Sequence, residues 1–547
     1  MEQGKAKITC GGIAIAPVFE IKNQHLEVAQ LPILSVEEEL ARLNQGAQQA
    51  LEQISALIDK QDPNSQAVEI LEFHLMLCQE DELLDPAREL IAKGGINAAA
   101  AILQAGAQQA AEFKALDDPY MQERSADILD VAERIGACIA GVKVQSKPTS
   151  RVVIVADDLT PSQTAAFERE YIAAIVLRGG TANSHAAILA RNMGIPSLIR
   201  AQLPHDIDGQ ILAVDAIAGN FYLNPDATTL SKMQQAKEDW DKAQLRLLAL
   251  RGKPSHAPCG HKMLVCANIG TPDEIEFALE NDCEGVGLMR SEFLFIGRET
   301  YPTEEEQYQA YARVATALNG RPLVIRTLDI GADKKCPYFN LPEEENPALG
   351  LRALRICLLR PELFKVQIRA ICRAAARGKV LMMLPMVTSL QEIKQSKALL
   401  ETCLQELAQE GKEYARPQLG IMIETPAAAI LSAQLATEVD FFSIGTNDLM
   451  QYTCALDRQN AGLSAFYDPH HPALLELIKL TAHHAHQAGI WIGICGELGS
   501  DLSLIDTFIE YGIDELSVSP SRILAVREKI LHSTAACLNR RGAEVNF

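Results

Sequence analysis

"LGIMIETPAAAILSAQLATEVDFFSIG", residues 419–445, decides how the second half of the chain is read. Two apolar runs of strand length, "LGIMIE" and "DFFSIG", flank an alanine-rich stretch that reads as helix. Strand, helix and strand in this order make a crossover unit of a parallel sheet. The first run ends on Glu424, and the second runs directly into Asn447 and Asp448.

Working outward, the alternation recurs from Met263 onward. The runs "MLVCAN", "EGVGLM", "PLVIRTLD" and "VLMMLPM" precede the quoted stretch, and "IWIGIC" and "ELSVS" follow it. Eight short strands alternating with helices predict a (β/α)8 barrel. Toward the N-terminus, "ITCGGIAIAPVFEI" reads as strand, glycine turn and strand. Helical spacing then takes over from Val36 through "ERSADILDVAERIGACIAGV", and strands return at "SRVVIVADDL", "YIAAIVL", "SLIRA", "QILAVDA" and "NFYLN". A helical block therefore interrupts a small α/β domain. The expected division is residues 1–30 plus 145–225 for that domain and 31–144 for the inserted helices. Residues 226–256 form a linker helix and loop, and 257–547 form the barrel.

The composition narrows the classes of function. A net charge of −21 opposes nucleic-acid binding, where Lys and Arg must neutralise phosphates. No apolar run is long enough to span a bilayer, and the N-terminal stretch has no signal-peptide layout. The expectation is a cytoplasmic protein. Thirteen cysteines without a CxxC pair read as reduced thiols rather than a disulfide framework or zinc site.

Barrel enzymes place their chemistry at the C-terminal ends of the strands. There the sequence offers Asn268, Arg290 with Glu292, Arg326 with Asp329, Glu424, Asn447 with Asp448, and Cys495 with Glu497, while Arg352 and Arg458 follow in loops. Any one of these could be a rim salt bridge. Several guanidinium forks converging on one mouth point instead to a polyanion, since the fork matches carboxylate and phosphate oxygens. Glu424 and Asp448 supply hard oxygens of the kind that Mg²⁺ takes. A small carboxylated phosphate bound with Mg²⁺ fits this set.

One more residue stands out, far from the barrel. In "RGGTANSHAAILARNMGIPSL", residues 178–198, His185 opens a predicted helix that ends near Gly194, with Pro196 beyond. A lone histidine in that place is commonly a cap or a surface residue. Here, however, a phosphate on the ring would meet unpaired N–H groups at the positive helix end. The small neighbours Ala182, Ser184, Ala186 and Ala187 leave the ring accessible.

The histidine stretch, together with "DDLTPSQTA", "ANIGT", "GVGLMRSEFLF", "VIRTLDIGADK", "EENPALGLRALR", "IETPAAA", "DFFSIGTNDLMQYTCALDRQN" and "CGELGSD", resembles the phosphoenolpyruvate-utilising enzymes. Within them it is similar to the branch that serves the bacterial sugar phosphotransferase system. The resemblance implies an α/β multidomain chain: a swivelling phosphohistidine α/β domain with an inserted helical domain, followed by a (β/α)8 barrel that binds phosphoenolpyruvate. It implies that His185 is the phosphorylated nucleophile and that Thr164 is a hydroxyl partner of its ring or phosphate. Arg290, Arg326, Arg352, Asn447 and Arg458 become ligands of phosphoenolpyruvate, Glu424 and Asp448 ligands of Mg²⁺, and Cys495 the acid that protonates the enolate. An HPr-like phosphocarrier is the implied partner, docking on the helical insert, and a homodimer through the barrels is implied too. Two alternatives stay open: a dikinase or phosphoenolpyruvate synthase, which needs an ATP-binding domain that this chain does not display, and a regulatory paralogue. The loop Gly179 to Ser184 departs from the family's usual Gly-Gly-x-Thr-Ser-His, which bears on transfer rate or choice of acceptor.

Overall fold

The computed structural model describes residues 2–21, 31–58, 66–79, 81–115, 119–141, 148–160, 163–164, 167–180, 187, 190, 194–296, 298–331, 336–457 and 460–537. The chain forms two compact units, Met1–Gln244 and Leu245–Phe547. No helix among the described residues is long and apolar enough to cross a membrane.

The first unit is built on eight strands: β1 (Glu2–Lys5), β2 (Lys7–Cys10), β3 (Ile13–Glu20), β4 (Val152–Ala156), β5 (Ile172–Leu177), β6 (Ser197–Ile199), β7 (Ile211–Asp215) and β8 (Asn220–Leu223). Their order in the sheet is β1-β8-β7-β3-β4-β5-β6-β2. The central strands β3, β4, β5 and β6 are parallel, and the flanking pairs are antiparallel. Central parallel strands are covered on both faces, which is why "VVIVA" and "IAAIVL" are apolar without alternation and fully buried.

Between β3 and β4 come five helices: α1 (Val36–Ile58), α2 (Gln66–Gln79), α3 (Asp81–Ala92), α4 (Ala98–Ala115) and α5 (Pro119–Ala140). On α1 the buried Leu43, Ala47, Ala50 and Ile54 recur at steps of three and four, one face of a helix, and they join Leu83, Ile102 and Ile128 in a core of the insert's own. A long helix, α6 (Ala227–Leu248), follows β8.

The second unit closes into the expected barrel. Its strands are β9 (Leu264–Ile269), β10 (Val286–Arg290), β11 (Leu323–Arg326), β12 (Val380–Leu384), β13 (Gln418–Ile423), β14 (Phe441–Ile444), β15 (Trp491–Ile494) and β16 (Glu515–Val518). All run parallel, and β16 pairs back onto β9 through Glu515↔Leu264 to Val518↔Ala267. Side chains fill the interior, among them Val324, Leu381, Met383 and a Phe441–Trp491 stack with centroids 4.5 Å apart. The alanine-rich stretch after Glu424 is not one helix but two short ones, Pro426–Ile430 and Ser432–Leu435.

One expectation is corrected. Cys259 and Cys537, 278 residues apart in sequence, form a disulfide, and the other eleven cysteines are free. The loop before β9 and the tail after the last barrel helix bring their Cα atoms to 5.6 Å, a closeness made by tertiary packing and invisible in cysteine spacing.

Candidate active site

The C-terminal strand ends surround a cavity of about 930 Å³. Arg290, Arg326, Asp329, Arg352, Glu424, Asn447, Asp448 and Cys495 all line it, so eight of the residues singled out in the sequence meet at one mouth. They arrive by three routes. Arg290 and Arg326 are the last residues of β10 and β11, while Glu424 and Cys495 directly follow β13 and β15. Asn447 and Asp448 lie in the first turn of helix Thr446–Cys454, and Arg352 comes in on the loop after β11.

Two buried arginines are tied together by one carboxylate. Asp329 Oδ2 lies 3.1 Å from Arg326 Nη2, and Asp329 Oδ1 accepts a hydrogen bond from Arg352 Nη2 at 2.9 Å. Arg326 also pairs with buried Glu292. Burial works against both guanidinium charges, but Glu292 and Asp329 hold Arg326 firmly protonated, and Asp329 with Asp448 does the same for Arg352. Arg326 Nε and Arg352 Nε are buried without hydrogen-bond partners. Arg290, by contrast, stands exposed at the rim with no ion-pair partner among the described residues. Fixed forks below and a free one above make a socket for an anion with oxygens at both ends.

Glu424 is fully buried. The N–H of Met386 donates to its Oε1 at 2.5 Å, whereas Oε2 has no partner. Burial, with Asp448 and Asp329 nearby, drives its carboxyl well above the usual range, against the pull of Arg326 and Arg352. A buried carboxylate with an orphaned oxygen and a second carboxylate beside it is the environment that a divalent cation relieves. Among the described residues there is no group of three or more His, Cys, Asp or Glu that could hold a metal. Two carboxylates are what Mg²⁺ uses when water and substrate oxygens complete its shell, so the donor set fits that ion.

Cys495 closes the inner end of the cavity. Burial pushes its thiol up to about 12, so the sulfur is held as a protonated thiol and not as a thiolate. Asn268 supports it from β9, donating to the carbonyls of Cys495 and Ser517 at 3.1 and 3.0 Å. Asn447 and Glu497 brace each other across the mouth: Nδ2 donates to Glu497 Oε1 at 3.3 Å, and the N–H of Glu497 donates back to Asn447 Oδ1 at 3.1 Å.

Sequence reading missed Tyr452. Its hydroxyl accepts from Arg352 Nη1 at 3.0 Å and donates to the carbonyl of Ala348. The available signal was spacing, because Tyr452 follows Asp448 by four residues and so shares its helix face. Thr164 is buried in the first unit, and its N–H donates to the carbonyl of Thr160. His185 and Arg458 lie outside the described residues.

Three family descriptions match the chain in order: PEP-utilising enzyme, N-terminal, over residues 5–124; mobile domain over 148–219; and PEP-binding domain over 246–535. Among curated proteins, the phosphoenolpyruvate-protein phosphotransferase of Priestia megaterium is 38% identical over 526 residues, covering 95% of this chain and 92% of the relative. That of Staphylococcus carnosus is 39% identical, covering 97% and 94%. That of Bacillus subtilis is 37% identical with the same two coverages.

Proposed function

The chain belongs to the phosphoenolpyruvate-utilising enzymes, and on that ground we propose that it transfers the phosphoryl group of phosphoenolpyruvate to His185. From there the group passes to a histidine of an HPr-like phosphocarrier, and pyruvate is released. The observation that carries this reading is the cavity at the barrel mouth, where two buried arginines, one exposed arginine, two carboxylates and a thiol converge.

In the proposed mechanism Arg326 and Arg352 orient the anionic substrate, and Arg290 covers it from the rim. Arg458 and Asn447 complete its ligands. Glu424 and Asp448 would hold Mg²⁺, which when bound neutralises charge on phosphoryl and enolate oxygens. An unprotonated ring nitrogen of His185 attacks phosphorus in line, and the bond to the enol oxygen breaks. The Cys495 thiol then gives its proton to C3 of the enolate. Because His185 belongs to the first unit, it must be delivered to the barrel mouth and later to the carrier. The residues after α6 are the hinge we assign to that movement, and Thr164 assists the ring. The α1–α5 insert is the proposed carrier-docking surface, the barrel face the proposed homodimer contact, and the cytoplasm the proposed compartment.

The test is transfer onward. Protein labelled with phosphoenolpyruvate is mixed with a panel of HPr-like carriers, and label on a carrier histidine is expected within the mixing time. Label that stays on the protein with every carrier would leave a regulatory paralogue as the better reading.

A further inference from the structure

Inside the barrel, below the mouth, lies an acidic side chain that the mechanism above does not use. Glu515, the first residue of β16, is 2% exposed and faces the interior. Its carboxyl has room because two neighbours lack side chains. A Cβ at Gly287 of β10 would collide with Oε1, and one at Gly493 of β15 would collide with Oε2. The carboxyl thus reaches across the interior between these two strands. Oε1 has no hydrogen-bond partner, and the Cys266 thiol of β9 lies against the group.

The sheet register aligns this carboxyl with the mouth. Ser443 pairs with Gly493, and Gly493 with Glu515, so the three stand side by side across β14, β15 and β16. Cys495 lies two residues beyond Gly493 on the same face, about 7 Å further along the strand direction. Ser443 Oγ is buried, lies against the Cys495 thiol and has no other hydrogen-bond partner. Carboxyl, hydroxyl and thiol therefore form a series that rises from the middle of the barrel to the reacting end.

Once Cys495 has given its proton to the enolate, a buried thiolate remains, and it must be protonated again before another turnover. We propose that Glu515 is the proton reservoir for Cys495, exchanging protons with the thiol through the Ser443 hydroxyl. The inference rests on the reading of Cys495 as the acid. The balance is closed. The S–H bond breaks as the C3–H bond forms, Ser443 then gives its proton to sulfur and takes one from Glu515, and the carboxylate takes up one solvent proton, the single proton that each turnover consumes. A small cavity of about 10 Å³ lies beside Glu515, walled by Cys266, Gly287 and Trp491. In the reverse direction the same groups carry the proton away from the pyruvate methyl group. Burial, with Asp514 adding to it, raises the Glu515 carboxyl to about 8, so it holds its proton and is neutral at neutral pH. Glu515 does not touch substrate; it is a positioning residue acting through the thiol.

The experiment compares two exchanges in D₂O with Mg²⁺, on the full chain. Deuterium uptake into the pyruvate methyl group reports how often the thiol swaps its proton with solvent. Label exchange between pyruvate and phosphoenolpyruvate reports phosphoryl transfer. Without a reservoir, the abstracted proton returns to the methyl group it left. Glu515→Gln keeps the shape and neutrality of the protonated carboxyl, so packing alone would leave the ratio of the two exchanges where it is. The ratio is expected to fall about tenfold or more. Ser443→Ala should lower it likewise, and it carries the test should Glu515→Gln fail to fold. An unchanged ratio in the folded variants overturns the proposal. Undiminished methyl exchange in Cys495→Ser would instead overturn the thiol's own role, and the reservoir with it.

Discussion

Tyr452→Phe removes one hydroxyl from the wall of the barrel mouth and nothing else. That hydroxyl accepts from Arg352 Nη1 at 3.0 Å and is anchored in turn on the carbonyl of Ala348. A hydrogen bond to a charged group contributes about 1.5–3 kcal/mol net. Arg352 is not set free by the change, since Nη2 keeps Asp329 at 2.9 Å and Nη1 keeps Asp448 at 3.7 Å. Tyr452 is also only half-buried, so water can replace part of the lost bond. The lower end applies: about 1.5 kcal/mol, or roughly a tenfold fall in kcat/KM. The assay is rapid-quench phosphorylation by phosphoenolpyruvate over a range of concentrations, with thermal melting as the control for folding. Combined with Asp329→Asn, the loss should be non-additive, because both groups hold the same guanidinium. A change below about twofold with an unaltered melting curve would refute the argument that Arg352 must be held from two sides.

Other expectations follow from the same geometry. Glu424→Gln should abolish Mn²⁺ or Mg²⁺ binding measured by calorimetry in the presence of substrate and slow phosphorylation about a hundredfold, whereas unchanged metal affinity would remove Glu424 from the site. Glu515 keeps its proton up to about 8 in the fold, against 4.5 for the free group. The folded state therefore binds the extra proton, and stability falls as pH rises from about 4.5 through about 8. The melting temperature of Glu515→Gln relative to the parent should accordingly rise across that window, and a constant difference would contradict the assignment. Arg527, fully buried beneath the barrel, donates to Ser255 Oγ and the carbonyl of Asp282 and pairs with the Asp282 carboxylate. Arg527→Ala leaves the part-exposed Asp282 carboxylate held by the N–H of Gly252 and should cost about 1.5–3 kcal/mol in denaturant unfolding. A cost near zero would show that the pairing does not hold the chain before β9 in place.

The barrel was legible because each of its strands is an apolar run that ends on a polar residue, a pattern requiring only local reading. Arg326, Glu424 and Cys495 could be placed at one mouth from their strand ends alone. Features depending on which distant residue arrives beside them were not legible. β1 was missed because "EQGK" is polar and largely exposed, and it is a strand only through its pairing with β8. The disulfide joins positions whose proximity is created by closing the barrel. Tyr452 acquires a role only once Arg352, one hundred residues earlier, reaches it. Glu515 reads in "ELSVS" as an ordinary charged strand start, and what makes it an interior group is the pair of glycines on β10 and β15.

The central claim is that His185 carries the phosphoryl group. Incubation with phosphoenolpyruvate and Mg²⁺ should label the protein with one acid-labile, base-stable phosphate, which peptide mapping assigns to His185, and His185→Ala should take no label. Full labelling of the His185→Ala variant, or a parent protein that remains unlabelled, would contradict the account.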